Sequence, residues 1–183
     1  MIKQFVPQEF CLKCRGCCRF KEANSVWSPC LLDEEIQELA DKEGIPAASI
    51  SAGRRIQPVV NPNGEGFICP FLGSADNQCR IYNLRPFECQ LYPFLINLRS
   101  TRPYRIGRYA LLRREKVLLT VDLNCPYVYE KIDTPLAKEY IIYLTAYLNS
   151  PKMLKVLKDN PQIIQAYEEV REIAELGLPH ETK

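Results

Sequence analysis

The sequence predicts an α+β fold with an irregular cysteine core, short β-hairpins and a helical C-terminal part. Three observations predict it. Five of the nine cysteines fall within residues 1–30, where apolar residues show little periodicity. Short extended pieces separated by strong turn chemistry fill the middle of the chain. The last third is punctuated by helix-start signals. At 183 residues the chain is long enough to bury a core without disulfide staples.

Taken in order, residues 1–30 read as a loop shaped by something other than apolar burial. In "LLDEEIQELADKEG" the apolar positions Leu32, Ile36, Leu39 and Ala40 recur at helical spacing. Acids crowd its first turn, and Gly44 suits the position just past its end. After Pro46 come "RRIQPVV", the turn "NPNGEG" and "FICPFL", which together predict a hairpin delivering Cys69. In "KVLLTVD", Val117, Leu119 and Val121 alternate with Leu118, Thr120 and Asp122. With "YRIGRYALLR" before it, this predicts a second hairpin turning near Arg114 and Glu115.

Thr134-Pro135, Ser150-Pro151 and Asn160-Pro161 each pair a capping residue with proline at the first helical position, which predicts three helix starts. The first helix carries Leu136, Tyr140, Ile141, Leu144, Tyr147 and Leu148. The last carries Ile163, Ile164, Tyr167, Val170 and Ile173 and ends near Gly177. The expected organisation is a cysteine-cluster part over residues 1–130 and C-terminal helices over 131–183 packed on it as one structural domain.

Composition narrows the function. Lys and Arg number 24 against 22 Asp and Glu, a formal charge of +2, so bulk electrostatics favours neither nucleic acid nor an acidic substrate. The opening "MIKQFVPQEF" lacks an apolar leader core. The apolar run "YIIYLTAYL" is far short of the roughly 20 residues a membrane span needs. A cytoplasmic location without a membrane partner is therefore expected. Thiols stay reduced there, so an odd number of unevenly clustered cysteines points to metal or redox chemistry before a disulfide framework.

In "CLKCRGCCRF", Cys11, Cys14 and Cys17 are spaced C-x2-C-x2-C, which lets a short segment bring three sulfurs to one metal centre. Cys18 stands beside Cys17, with Cα atoms about 3.8 Å apart, and the two side chains are expected to diverge. That leaves open two sites, or one multinuclear cluster with an outer thiol. Cys69, Cys79 and Cys89 come ten residues apart, and Cys125 follows far along, so these four must be gathered by the fold. A zinc ribbon would present two close cysteine pairs, and only the first segment offers one. The clustered run has the spacing of a bacterial ferredoxin motif but lacks its fourth ligand, since position 21 is lysine. Cys69-Pro70 and Cys125-Pro126 could each supply that corner. The spacing favours an iron–sulfur cluster, with the 4Fe-4S type preferred, and leaves zinc open.

"CLKCRGCC", a helix, then "CPFL", "CRIYNLRPFEC" and "YPF" resemble the small prokaryotic cysteine-cluster proteins named for their CxxCxxCC motif, which are described as zinc- or iron-chelating domains. The resemblance covers about residues 11–125 and implies eight metal-binding cysteines: Cys11, Cys14, Cys17, Cys18, Cys69, Cys79, Cys89 and Cys125. Flagellin lysine N-methylases carry a similar cysteine cluster, which implies protein methylation as a second possibility. The sequence has no glycine-rich strand-to-helix loop for S-adenosylmethionine and no C-x3-C-x2-C radical motif.

Around Cys79 and Cys89, "IYNLRPFECQLYPF" places Tyr82, Arg85 and Tyr92 where they could shelter thiolates and offset their charge, or simply pack a loop-rich core. Residues 99–116 are strongly basic, with Arg99, Arg102, Arg105, Arg108, Arg113, Arg114 and Lys116 against Glu115. Their spacing fits no regular face, so the expectation is a solvated hairpin paired with "EEVREIAE" near Glu168, with nucleic acid disfavoured as a partner. Cys30 lies outside the cysteine pattern and is expected to pack near a helix start. His180, the single histidine, is expected in a solvated tail. Two function classes follow: a metal-binding protein in redox or metal handling, with a possible protein partner, or an enzyme modifying a protein substrate with the cluster as its cofactor.

Overall fold

The computed structural model describes residues 2–14, 16–43, 50, 54–73, 75–100, 104–106, 110–112 and 115–178. The fold is mixed α+β, with two small three-stranded antiparallel sheets. It divides into two compact units: Met1–Tyr92 with Asn124–Glu130, and Pro93–Leu123 with Lys131–Lys183. Among the described residues no helix is long and apolar enough to cross a membrane.

The strands of the first unit are only two residues long each. Pro7 closes the turn into helix α1 (Gln8–Cys14), its carbonyl accepting from the N–H groups of Phe10 and Cys11. The expectation of a loop through residues 1–30 is therefore corrected. Helix α2 (Asp33–Glu43) forms where the apolar spacing predicts it, while its expected glycine stop at Gly44 lies outside the described residues. Strands β1 (Arg19–Phe20), β2 (Val59–Val60) and β3 (Phe67–Ile68) pair antiparallel in the order β1-β3-β2. The predicted "NPNGEG" hairpin is the β2–β3 connection. Its Gly66 sits at φ +78, and a Cβ there would stand 2.7 Å from the Phe20 carbonyl oxygen, so only glycine fits without strain.

One buried cluster of this unit is Phe20, Leu31, Leu39, Ile56, Cys69 and Ile81, with Cys18 and Cys79 packed against it. After a 3₁₀ turn at Tyr82–Leu84, helix α3 (Phe87–Leu91) ends the first piece of chain. The second piece adds helix α4 (Pro126–Lys131). Tyr127 of α4 meets Phe5 and Phe10 edge-on, with ring centroids 5.6 and 5.1 Å apart, which seats α4 beside α1.

The second unit has long elements. Strand β4 (Phe94–Ser100) pairs with β7 (Glu115–Val121) from Phe94↔Val121 to Ser100↔Glu115, and β7 pairs with β8 (Arg171–Glu175). The expected second hairpin is corrected here. The segment before β7 forms its own pair, β5 (Tyr104–Ile106) with β6 (Ala110–Leu112), and β7 takes β4 as its partner instead. The expected turn at Arg114 lies outside the described residues. Phe94, Leu95 and Ile96 are all buried, so β4 is apolar on successive positions and lacks the alternation that marks a half-exposed strand.

Helix α5 (Pro135–Leu148) starts at its predicted cap, with Thr134 Oγ1 accepting from the Ala137 N–H, and it buries Ala137, Tyr140, Leu144 and Leu148. Helix α6 (Pro151–Asp159) starts likewise at Ser150. The third predicted helix does not form: Asn160-Pro161 opens a single 3₁₀ turn, Pro161–Ile163, and the chain then runs to β8. Its backbone is claimed by β4. Gln165 N–H donates to the Ile96 carbonyl, Leu98 N–H donates to the Gln165 carbonyl, and the buried Asn97 amide bonds both the N–H and the carbonyl of Tyr167. The β-branched Ile163, Ile164, Val170 and Ile173 offer little helix propensity to resist this.

Candidate metal centre

All eight candidate ligands lie in the first unit, Cys125 being carried back to it by residues 124–130. Helix α1 sets Cys11 and Cys14 three residues apart on one face. Cys17 and Cys18 occupy the turn into β1, and the Cys69 N–H donates to the Cys18 carbonyl at 2.9 Å, which brings that turn beside the end of β3. A bridge between Leu72 and Cys79 folds the next thiol back toward Cys69. Cys89 rides on α3, and Cys125 is the residue from which α4 starts, its carbonyl accepting from the Tyr129 N–H.

The cysteine-proline pairs explain the aim of two sulfurs. Proline after each cysteine opens a turn whose next amides point back at the thiol: Phe71 and Leu72 N–H reach Cys69, and Tyr127 and Val128 N–H reach Cys125. The Ile81 N–H does the same for Cys79. Such donors favour the thiolate, the form that binds metal.

Burial acts in the opposite sense and wins. It pushes Cys69 up to about 12, with Cys79 and Cys17 adding to the rise. It pushes Cys11 up to about 11, with Cys17 and Cys125 next in importance. Cys79, Cys89 and Cys125 are raised by burial as well. Cys17 is raised chiefly by a hydrogen bond with Cys18 and then by burial, so these adjacent thiols meet and do not diverge as expected. Cys17, like Cys11 and Cys14, is exposed as a residue.

The mutual influences define a pattern. Cys17, Cys125 and Cys14 raise Cys11, Cys14 and Cys17 raise Cys125, Cys79 and Cys17 raise Cys69, Cys17 raises Cys79, and Cys69, Cys17 and Cys79 raise Cys89. Cys17 thus acts on Cys11, Cys69, Cys79, Cys89 and Cys125 alike. The thiols are gathered but not set at ligand geometry, for among the described residues no three Cys, His, Asp or Glu side chains stand where they could share a metal ion. A divalent cation would supply the positive charge that crowded, desolvated thiolates lack.

Arg85 is the charge nearest to this need. Its guanidinium lies 4.1 Å over the Tyr82 ring and opposes the rise of Cys11, Cys17 and Cys79. Its Nε is buried without a hydrogen-bond partner. Tyr92 ends α3, its N–H donating to the Glu88 carbonyl.

Sequence reasoning missed a pair of carboxylates that fix α3. Glu35 of α2 accepts from Leu32 N–H and from Phe87 N–H at the start of α3, while Glu88 of α3 accepts from the Cys30 N–H at 2.7 Å. Each helix thus reaches back to the segment opening the other, which holds Cys89 in place. Burial raises both carboxyls to about 7. The Leu32–Glu35 spacing was a readable capping signal, whereas the bond to Phe87 was not. Cys30 is buried, and the charges acting on its thiol are Glu88 and Arg55. His180 lies outside the described residues.

In the second unit, Arg99 and Lys116 pair with Glu172 and Glu175 of β8, as expected of the basic segment and "EEVREIAE". The side chains of the remaining basic residues there lie outside the described set.

The family CxxCxxCC, described as "Putative zinc- or iron-chelating domain", matches residues 10–126, well over half of the chain. No curated protein and no solved structure matches.

Proposed function

The chain belongs to the CxxCxxCC family of zinc- or iron-chelating domains, and we propose that it carries an iron–sulfur cluster, of the 4Fe-4S type, in cytoplasmic redox or metal handling. The thiolates of Cys11, Cys14, Cys17, Cys18, Cys69, Cys79, Cys89 and Cys125 are the ligand pool, and Tyr82, Arg85 and Tyr92 shelter it. What carries this reading is the number of thiols gathered in one unit around Cys17. A structural zinc takes about four ligands, and this pool exceeds that. The pool is a donor set of thiolates without nitrogen or oxygen, which suits a polynuclear, thiophilic centre. When bound, such a cluster supplies one-electron chemistry. The protein's part is to present thiolates, supply N–H groups to Cys69, Cys79 and Cys125, and limit water around Cys89 and Cys69.

Anaerobic purification, metal and acid-labile sulfide analysis and an absorption spectrum test this. A brown protein with iron and sulfide is the expected result. A colourless protein with stoichiometric zinc would replace iron by zinc on the same thiols, and a protein that takes up neither metal would refute the site.

A further inference from the structure

We infer that Asn77 is a positioning residue of the metal centre: by accepting a hydrogen bond from Arg19 it clamps the Cys69–Cys79 loop onto β1, so that Cys18, Cys69 and Cys79 are presented together from three separate stretches of chain. This inference rests on the metal reading above and gives a role to a residue that does not itself ligate.

Backbone bonding sets two of these stretches side by side. Arg19 stands opposite Ile68 in the β1–β3 ladder, and at the next step along it the Cys69 N–H donates to the Cys18 carbonyl at 2.9 Å. The third stretch returns through a tight loop. Gly73 N–H donates to the Gln78 carbonyl at 2.9 Å, Asn77 N–H to the Gly73 carbonyl at 2.8 Å and Arg80 N–H to the Phe71 carbonyl at 2.8 Å, which folds Cys79 back against Leu72. A Cβ on Gly73 would run into the Asp76 carboxylate and the Arg80 guanidinium, which pair at 3.2 Å.

Asn77 joins this loop to β1. Its φ of +55 is left-handed, a conformation that asparagine adopts more readily than most residues. Its Oδ1 accepts from Arg19 Nη2 at 3.1 Å, across 58 positions of sequence, and a charged donor makes such a bond stronger than a neutral one. The contact sits one residue from Cys18 and two from Cys79, on the two arms that have to be held together. Cys18 and Cys79 both pack against the buried cluster that contains Cys69. A metal drawing on these thiols binds more tightly when their backbones are already in place, because less chain freedom is lost on binding.

The test uses the as-isolated holoprotein and the variants Asn77→Gly, Asn77→Asp, Arg19→Leu and the double variant Arg19→Leu with Asn77→Gly. Metal retention is followed against rising chelator. The thiolate-to-metal charge-transfer band is then recorded after exchange into cobalt(II). Asn77→Gly keeps the left-handed backbone and removes only the acceptor. It should release metal at about 10–100-fold lower chelator concentration, the usual size of an effect from a group that orients ligands, and its charge-transfer band should weaken as a thiolate leaves the cobalt. Asn77→Asp still accepts from Arg19 and should restore both. Arg19→Leu should match Asn77→Gly, which keeps the test alive if either variant fails to fold, and the double variant should be no worse than either single one, the mark of one shared contact. A role confined to fold stability would lower the unfolding midpoint of Asn77→Gly and leave its cobalt band and metal retention as in wild type. That result, or losses that multiply in the double variant, would overturn the inference while leaving the metal site standing. Wild-type protein that takes up no metal would overturn the metal reading itself, and the positioning role with it.

Discussion

The two units solve the same problem with different means. The second buries Phe94, Leu119, Val121, Leu144, Leu148, Leu157 and Ile163 behind two seven-residue strands and a fourteen-residue helix. The first also buries apolar side chains, among them Phe5, Leu31, Leu32, Leu39, Ile56, Phe87, Leu91 and Val128, but on two-residue strands and, α2 apart, on helices of seven residues or fewer. Elements that short do not hold their own shape. The two units bury similar sets of apolar side chains, so the difference lies in the backbone: the first unit, with its gathered thiols, is the one whose irregular segments metal cross-links would hold.

The largest expected effect breaks the units apart. Removing metal from the holoprotein should release the free energy of thiolate ligation, on the order of 10 kcal/mol for a structural zinc site, and only the first unit should feel it. Amide exchange should rise across 8–20, 67–91 and 124–130 while β4, β7 and α5 stay protected. Equal loss of protection in both units would show that they are not separately organised. Cys17→Ser, which removes the thiol that acts on five others, should likewise abolish stoichiometric metal binding.

The reverse experiment comes next in size. Leu144→Ala opens a cavity in the second unit and should cost about 2–5 kcal/mol by chemical denaturation, with metal content unchanged. Metal loss in that variant would mean that the cysteine unit leans on the apolar one.

A third test concerns the carboxylates that hold α3. Glu35 and Glu88 titrate near 7 in the fold against 4.5 as free groups, so between these values the folded state binds more protons than the unfolded one. Their contribution is fully present below 4.5 and is lost as pH rises through 7. For two part-exposed, neighbouring groups the loss is on the order of 2–3 kcal/mol each. The stability difference between wild type and Glu35→Gln should therefore fall from pH 4.5 to pH 8 in urea titrations. A pH-independent difference would contradict the burial of Glu35.

The smallest effect sharpens the ligand set. Cys30→Ser should keep full metal content and spectrum and lose about 1 kcal/mol or less, as expected near a helix start. Loss of metal in that variant would make Cys30 a ligand.

How much of this was legible follows from what each signal encodes. Thr134-Pro135 and Ser150-Pro151 are local instructions, and α5 and α6 obey them. Asn160-Pro161 carries the same instruction, but Asn97, some 70 residues away, takes the backbone of Tyr167 for itself. Local propensity lost there to a distant hydrogen-bonding partner. β4 went unread because Phe94, Leu95 and Ile96 are buried together, and a continuous apolar run does not declare its period. In the cysteine unit, spacing alone showed that Cys69, Cys79, Cys89 and Cys125 had to be gathered. The return of Cys125 beside α1 was not legible, since it depends on Phe5, Phe10 and Tyr127 seating α4 there.

The discontinuity of the first unit has a consequence for synthesis. Ribosomes release the chain from its N-terminus, and domains complete themselves only when their last segment has emerged. Seven of the eight thiols leave the tunnel before β4 and β7 are made, and Cys125 follows only after both. For that interval the nascent chain displays reduced sulfur without its closing segment. It then offers itself to oxidants and stray metals alike, so guarding those thiols during translation is part of making this protein.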